Sequence, residues 1–291
     1  MTEVVEKLKK LSLIPVLFIV SACASVTDNG RAIGLSQSVP ASATAFSKDV
    51  KTIIRERDFS YVSLAISNPQ DLRVTSHPLP KTIEITTGSG FVVDDNGYVI
   101  TAAHVGVSPN RTVVATGPEG KRYRGRVVAV QKIGDMALIK LDNPEPLSAV
   151  NPVKNPCILP GASIVSLGKP GLRQDIARVG TLSELRFSKP VRYKKYGYDE
   201  AMVLNLKTRR GESGGPVFDD SGALLGMIVS TLSSASGAYL NLAHAIPSTA
   251  LAKFICTNTK CQPVWRNLTK KKLSACPAPV VASISTKSLI Q

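Results

Sequence analysis

The 291-residue sequence predicts an all-β protein, and three observations carry that prediction. Short apolar runs with a period of two recur from residue 83 onward, and Gly, Pro, Asn and Asp separate them at intervals of roughly ten residues. Val and Ile are plentiful beside 21 Gly and 19 Pro, a balance that favours strands and turns over helix bundles. Continuous amphipathic helix signals are weak outside 46–57 and 248–255.

Taken in order, Ile83 and Ile85 alternate with polar residues, and "GSG" (88–90) permits a bend before "FVV". "DDNG" (94–97) is a hairpin-turn signal and "YVIT" begins the returning strand. The runs "RTVVAT", "GRVVAVQ", "MALIKL", "SIVSLG", "ARVGTLSEL", "AMVLNL", "GPVFDDSGALLGMIVST" and "LNLAHAIP" follow in the same manner. They alternate with turns rather than with helices, so the expectation is a barrel or sandwich and not a β–α repeat.

The formal charge of +15 admits attraction to anionic partners. No basic run is interleaved with aromatics as a single-strand stacking platform requires, so no specific nucleic-acid partner is expected. "KRYRGR" (121–126), "RYKKY" (192–196) and "TKKK" (269–272) are read as solvated loops.

The N-terminus reads as an address. Lys7, Lys9 and Lys10 precede an apolar run at 11–20 that is short for a bilayer span. It ends in "VSAC", similar to a bacterial lipobox, with Cys23 as the residue that would be lipidated; "ACA" (22–24) also suits ordinary signal peptidase. Residues 24–50, rich in Ser, Ala and Thr, have the composition of a tether. Cys157, Cys256, Cys261 and Cys276 allow up to two disulfides in three connectivities. No His lies near them in a zinc pattern, so no metal is expected.

Three motifs carry chemistry. "TAAH" puts His104 at a strand end, "GDMALIKL" puts Asp135 just before a strand, and "GESGGP" puts Ser213 in a glycine-rich turn. A serine hydroxyl attacks poorly until a nearby base takes its proton, and an imidazole titrating near neutrality is suited to do so. A carboxylate on the other ring nitrogen would fix the tautomer and stabilise the imidazolium. The N–H groups of Gly211 and Ser213 could converge on a developing oxyanion, and losing one such donor typically costs about 3–4 kcal/mol. Each motif alone has an ordinary structural explanation; the order His, Asp, Ser, each at a strand boundary, makes coincidence a poor one.

Residues 88–104, 127–141, 164–182 and 211–247 together resemble a trypsin-like serine protease of the Deg/HtrA type, over about 82–250. The resemblance implies two six-stranded antiparallel β-barrels of the chymotrypsin kind. His104 and Asp135 would sit on the first, Ser213 on the second, with the active site between. It implies peptide-bond hydrolysis through an acyl-enzyme, without metal or cofactor, and a protein or peptide substrate. The division expected is a signal peptide at 1–22, a tether and N-terminal extension at 23–78 and barrels at 79–150 and 151–255. A Cys-containing tail at 256–291 follows, and the location is the bacterial cell envelope, lipid-anchored or secreted.

Some features depart from the pattern. About 40 residues follow Pro247, too few for the PDZ domain such proteases usually carry, and no "IVGG"-like start precedes the first barrel. Glu212 stands where digestive enzymes place the Asp that pairs with a liberated N-terminus, and Arg209 or Arg210 is the expected partner. By resemblance Lys207 falls at the floor of the specificity pocket, Ser230 bonds Asp135, and His244 lines the far wall. Lys207 with His244 points to an acidic P1 residue; Lys207 directed to solvent points to a small aliphatic one. Two readings compete with a protease. One is a catalytically silent protease-like module of the envelope, and the other is an envelope protein that binds anionic polymers.

Overall fold

The computed structural model describes residues 25–28, 31–37, 48–67, 85–172, 175–233 and 238–277. The strands that alternate in the sequence close into two six-stranded antiparallel barrels.

The first barrel is built from β3 (Tyr61–Ser67), β4 (Thr86–Val92), β5 (Tyr98–Thr101), β6 (Thr112–Thr116), β7 (Arg122–Gln131) and β8 (Met136–Leu141). Their order is β3-β4-β5-β8-β7-β6, and the β3–β6 pairing closes the ring. The "DDNG" turn forms as its residues dictate: Asp94 Oδ1 accepts the Tyr98 N–H at 2.9 Å and Gly97 takes φ +82°.

The second barrel comprises β9 (Ser163–Gly168), β10 (Asp175–Glu184), β13 (Met202–Asn205), β14 (Pro216–Asp219), β15 (Leu224–Ser233) and β16 (Tyr239–Pro247). It closes through β9, which pairs with β10 on one side and β14 on the other. A separate hairpin, β11 (Val191–Tyr193) and β12 (Tyr196–Tyr198), stands off this barrel.

The structure corrects two boundaries. The first barrel begins at β3, not at residue 79; in "YVSLAIS" Val62, Leu64 and Ile66 alternate with Ser63, Ala65 and Ser67, and the strand is buried on both faces along its whole length. The segment read as a tether contains a hairpin, β1 (Ser25–Asp28) and β2 (Arg31–Gln37), whose second strand adds in parallel to β10. The cleavage and lipidation expected at Cys23 lie outside the described residues.

Helices fill the ends. α1 (Val50–Arg57), capped by Asp49, leads into β3 and buries Ile53 and Ile54. α2 (Ala103–Gly106) is a single turn after β5. α3 (Ser248–Asn258) and α4 (Pro263–Thr269) carry the tail back onto the first barrel. There Trp265, 1% exposed, donates its indole N–H to the Val93 carbonyl at 2.8 Å. Burial of a side chain this large contributes about 2–3 kcal/mol or more, so this part of the Cys-containing tail belongs to the core. The cysteines pair as Cys157–Cys276 and Cys256–Cys261. Among the described residues no helix is long and apolar enough to cross a membrane.

Candidate active site

His104 belongs to α2 and faces a turn that leads into β8. In that turn Gly134 and Asp135 both take positive φ (+123° and +48°), a conformation that Gly and Asp tolerate better than most residues. The left-handed backbone swings the Asp135 carboxylate under α2. It is fully buried, and it accepts the His104 backbone N–H at 3.0 Å and the His104 Nδ1 at 2.9 Å. One carboxylate thus fixes both the helix turn and the ring it carries.

Ser213 sits in the turn before β14, whose glycines are required by close approach. Gly214 has φ +86°, and a Cβ there would lie 2.1 Å from the Ser89 carbonyl oxygen. Gly211 has φ +92°, with Pro170 packed against it. Ser89, the middle residue of "GSG", ties this turn to the first barrel. Its N–H donates to Ser213 O at 2.9 Å, its hydroxyl donates to Gly211 O at 2.8 Å, and its carbonyl accepts from Thr101 Oγ1 at 2.7 Å. Among the described residues, the N–H groups of Gly211 and Ser213 donate to no acceptor.

His104, Ser213, Gly211, Arg210 and Pro170 line one cleft of about 690 Å³ between the barrels. No hydrogen bond joins Ser213 Oγ to His104 among the described residues; in unliganded enzymes that contact is commonly loose. Nδ1 of His104 is engaged, which leaves Nε2 as the ring's other nitrogen on the side of the cleft. Among the described residues no cluster of three or more His, Cys, Asp or Glu side chains is placed to hold a metal ion.

Glu212 does not pair with Arg209 or Arg210, which are both exposed. Its partner is Arg178 of β10, whose Nε and Nη2 donate to Oε2 and Oε1 at 2.7 and 2.6 Å. Both side chains are buried, at 4% and 3% exposure. A planar guanidinium reaching both carboxylate oxygens is the strong, geometrically specific form of this contact. The signal in the sequence was a lone Arg inside the otherwise apolar run "ARVGTL".

The resemblance put Ser230 against Asp135, and the structure puts it elsewhere. Ser230 Oγ lies 2.7 Å from the Tyr198 hydroxyl, which also lies 2.7 Å from His244 Nδ1. Asp135 instead receives the hydroxyl of Tyr193. The "RYKKY" segment is therefore not simply a solvated loop, since its Tyr196 is buried, as is Tyr198 just beyond it. Its signal was the Tyr spacing, which places three rings on one face of a hairpin.

Lys207 is exposed, so it supplies no buried cation. His244 is buried against Tyr198 and the Phe187 ring, and burial pushes its imidazole down to about 4. Burial likewise pushes the Tyr198 phenol up to about 12. This region is thus uncharged near neutrality.

Comparison with known proteins agrees with the two-barrel fold. Residues 88–227 match the family described as "Trypsin-like peptidase domain". The cattle (Bos taurus) mitochondrial serine protease HTRA2 is 31% identical over 184 residues, covering 62% of this chain and 38% of that protein. The periplasmic serine endoprotease DegP of Escherichia coli is 30% identical over 164 residues, covering 55% of this chain and 33% of DegP. The chain therefore spans well under half the length of these relatives. Among solved structures, the HtrA-type protease AlgW with tripeptide superposes with a TM-score of 0.56 at 19% identity, over 72% of this chain and 63% of that one. The shared fold is the two-barrel architecture.

Proposed function

We propose that this chain is a serine endopeptidase that cleaves peptide bonds through an acyl-enzyme on Ser213. The observation that carries the reading is the cleft that holds His104, with Asp135 behind its ring, together with Ser213 and two undonated N–H groups. In this mechanism Ser213 Oγ attacks the scissile carbonyl carbon as its proton passes to His104 Nε2. The Gly211 and Ser213 N–H groups stabilise the oxyanion. Collapse breaks the C–N bond, the amine leaves with the proton from His104, and water repeats the sequence to release the acid.

The P1 residue is uncharged in this reading, because Lys207 faces solvent and burial keeps His244 neutral. A peptide library enriched in Glu or Asp at P1 would contradict that. An envelope location is supported by the N-terminal segment, by two disulfides that need an oxidising compartment, and by a relative named as periplasmic. Lipidation of Cys23 is part of the same proposal, and C23S should abolish incorporation of labelled fatty acid.

The direct test is a fluorophosphonate probe read by intact mass. The wild-type chain should gain one adduct and S213A none. Absence of labelling in the folded wild type would move the reading to a catalytically silent module.

A further inference from the structure

We infer that Tyr193 is a positioning residue of the triad, a neutral donor that the second barrel sends to the catalytic carboxylate of the first; this rests on the protease reading. The Tyr193 hydroxyl donates to Asp135 Oδ2 and lies 3.1 Å from His104 Nδ1. Its ring meets the His104 ring edge-on at 5.9 Å between centroids. Oδ2 therefore takes two contacts, from the phenol and from the imidazole, while Oδ1 takes the His104 backbone N–H and lies 3.2 Å from the same imidazole nitrogen. With donors on both oxygens the carboxylate has little freedom to rotate.

The hairpin is built for this task. In its register Tyr193 pairs with Tyr196 and Val191 with Tyr198. Cross-strand partners and residues two apart share a face, so Val191 and the three tyrosines point one way. Arg192, Lys194 and Lys195 make up the other face and the tip, and Arg192 and Lys194 are both exposed. The backbone secures the position: Gly134 N–H donates to Gly197 O at 2.7 Å, and Gly197 N–H donates to Lys132 O at 3.0 Å. Both bonds land on the turn that carries Asp135. Burial and the Asp135 carboxylate hold the Tyr193 phenol well above the ordinary tyrosine range, so it keeps its proton and donates.

A phenol differs from a cation in this place. It orients the carboxylate through a hydrogen bond and brings no formal charge of its own to compete with an imidazolium. The titratable and charged groups around His104 are Asp135, Tyr193 and Tyr196, with Arg210 lining the same cleft and Arg111 acting on Tyr196. Of these, only the Tyr193 hydroxyl is removed by Y193F.

The experiment compares wild type, Y193F and K194N at the exposed hairpin tip. Y193F should lower kcat about tenfold to hundredfold, the loss expected for one hydrogen bond to a charged group, with KM within about twofold. The acid limb of kcat/KM should move to higher pH, because a carboxylate without the phenol stabilises the imidazolium more. The His104 Nδ1 proton resonance should shift in Y193F and stay in K194N. Unchanged kcat, acid limb and resonance in Y193F would overturn the inference. A wild type that does not label with fluorophosphonate would sink the protease reading, while the resonance still reports whether Tyr193 holds the pair.

Discussion

Two buried carboxylates flank the cleft, one from each barrel, and they are held in opposite ways. Among the described residues Asp135 takes a backbone N–H, an imidazole nitrogen and a phenol, with no Lys or Arg among its partners. Glu212, one residue before Ser213, meets a full cation, with Arg178 bonded to both of its oxygens. The difference teaches how charge is kept or spent. In the protease reading, a carboxylate that stabilises a transient imidazolium needs its charge available at that moment, so no fixed cation stands against it. A carboxylate that only fixes a turn is better neutralised, because an unpaired charge at that depth costs several kcal/mol. In the protease reading the Arg178–Glu212 pair does internally what a liberated N-terminus does in digestive enzymes. It holds the turn from which Gly211 and Ser213 present their N–H groups.

The contrast can be broken at its strongest point by D135N. An amide keeps the shape but inverts one donor–acceptor role and removes the charge, and kcat should fall about 10⁴-fold with stability little changed. Steady-state kinetics beside a urea melt checks this, and a loss of stability matching the loss of rate would contradict the division of roles.

At Glu212 the order of effects reverses, with stability leading. R178A leaves a buried carboxylate unpaired and should destabilise the fold by about 3–5 kcal/mol, with loss of probe labelling. The double substitution R178M/E212L should recover most of the stability without the labelling. R209A, by contrast, touches an exposed side chain and should stay within about 0.5 kcal/mol of wild type. An R178A chain as stable as R209A would refute the pairing.

His244 sharpens the comparison as a buried titratable group with no ionic partner among the described residues. Its folded value of about 4 lies below its usual 6.5, so between those two pH values the unfolded chain binds a proton that the folded chain does not. Its contribution is therefore complete above pH 6.5, declines as pH falls towards 4, and is flat below. The size is on the order of 3 kcal/mol. Thermal melts from pH 7 to 4 should show that slope in wild type and a reduced one in H244N. Equal slopes would mean that other groups control the acid limb.

Much of this was legible along the chain. Period-two runs between turn residues are strands whatever they later pack against, and "DDNG" makes its turn with its own side chain. The three motifs were readable because each lies at a strand boundary and each residue type has one chemical use there. β3 was less legible, since "YVSLAIS" is buried on both faces and follows a helix-like stretch.

What the sequence by itself determined was therefore local: the strand class, the turns, and the order of the His, Asp and Ser motifs at strand boundaries. Tertiary structure alone decided the partnerships. Arg178 and Glu212 are 34 residues apart, Tyr193 and Asp135 are 58 apart, and Cys157 finds Cys276 across 119. Lys207 goes to solvent although its place before Ser213 suggested a pocket floor, and Ser230 turns to Tyr198 instead of Asp135. The physical reason is that periodicity reports which face of a strand is buried. A buried charge or hydroxyl takes whichever partner barrel closure brings within hydrogen-bond reach, and closure is set by the register of twelve strands together.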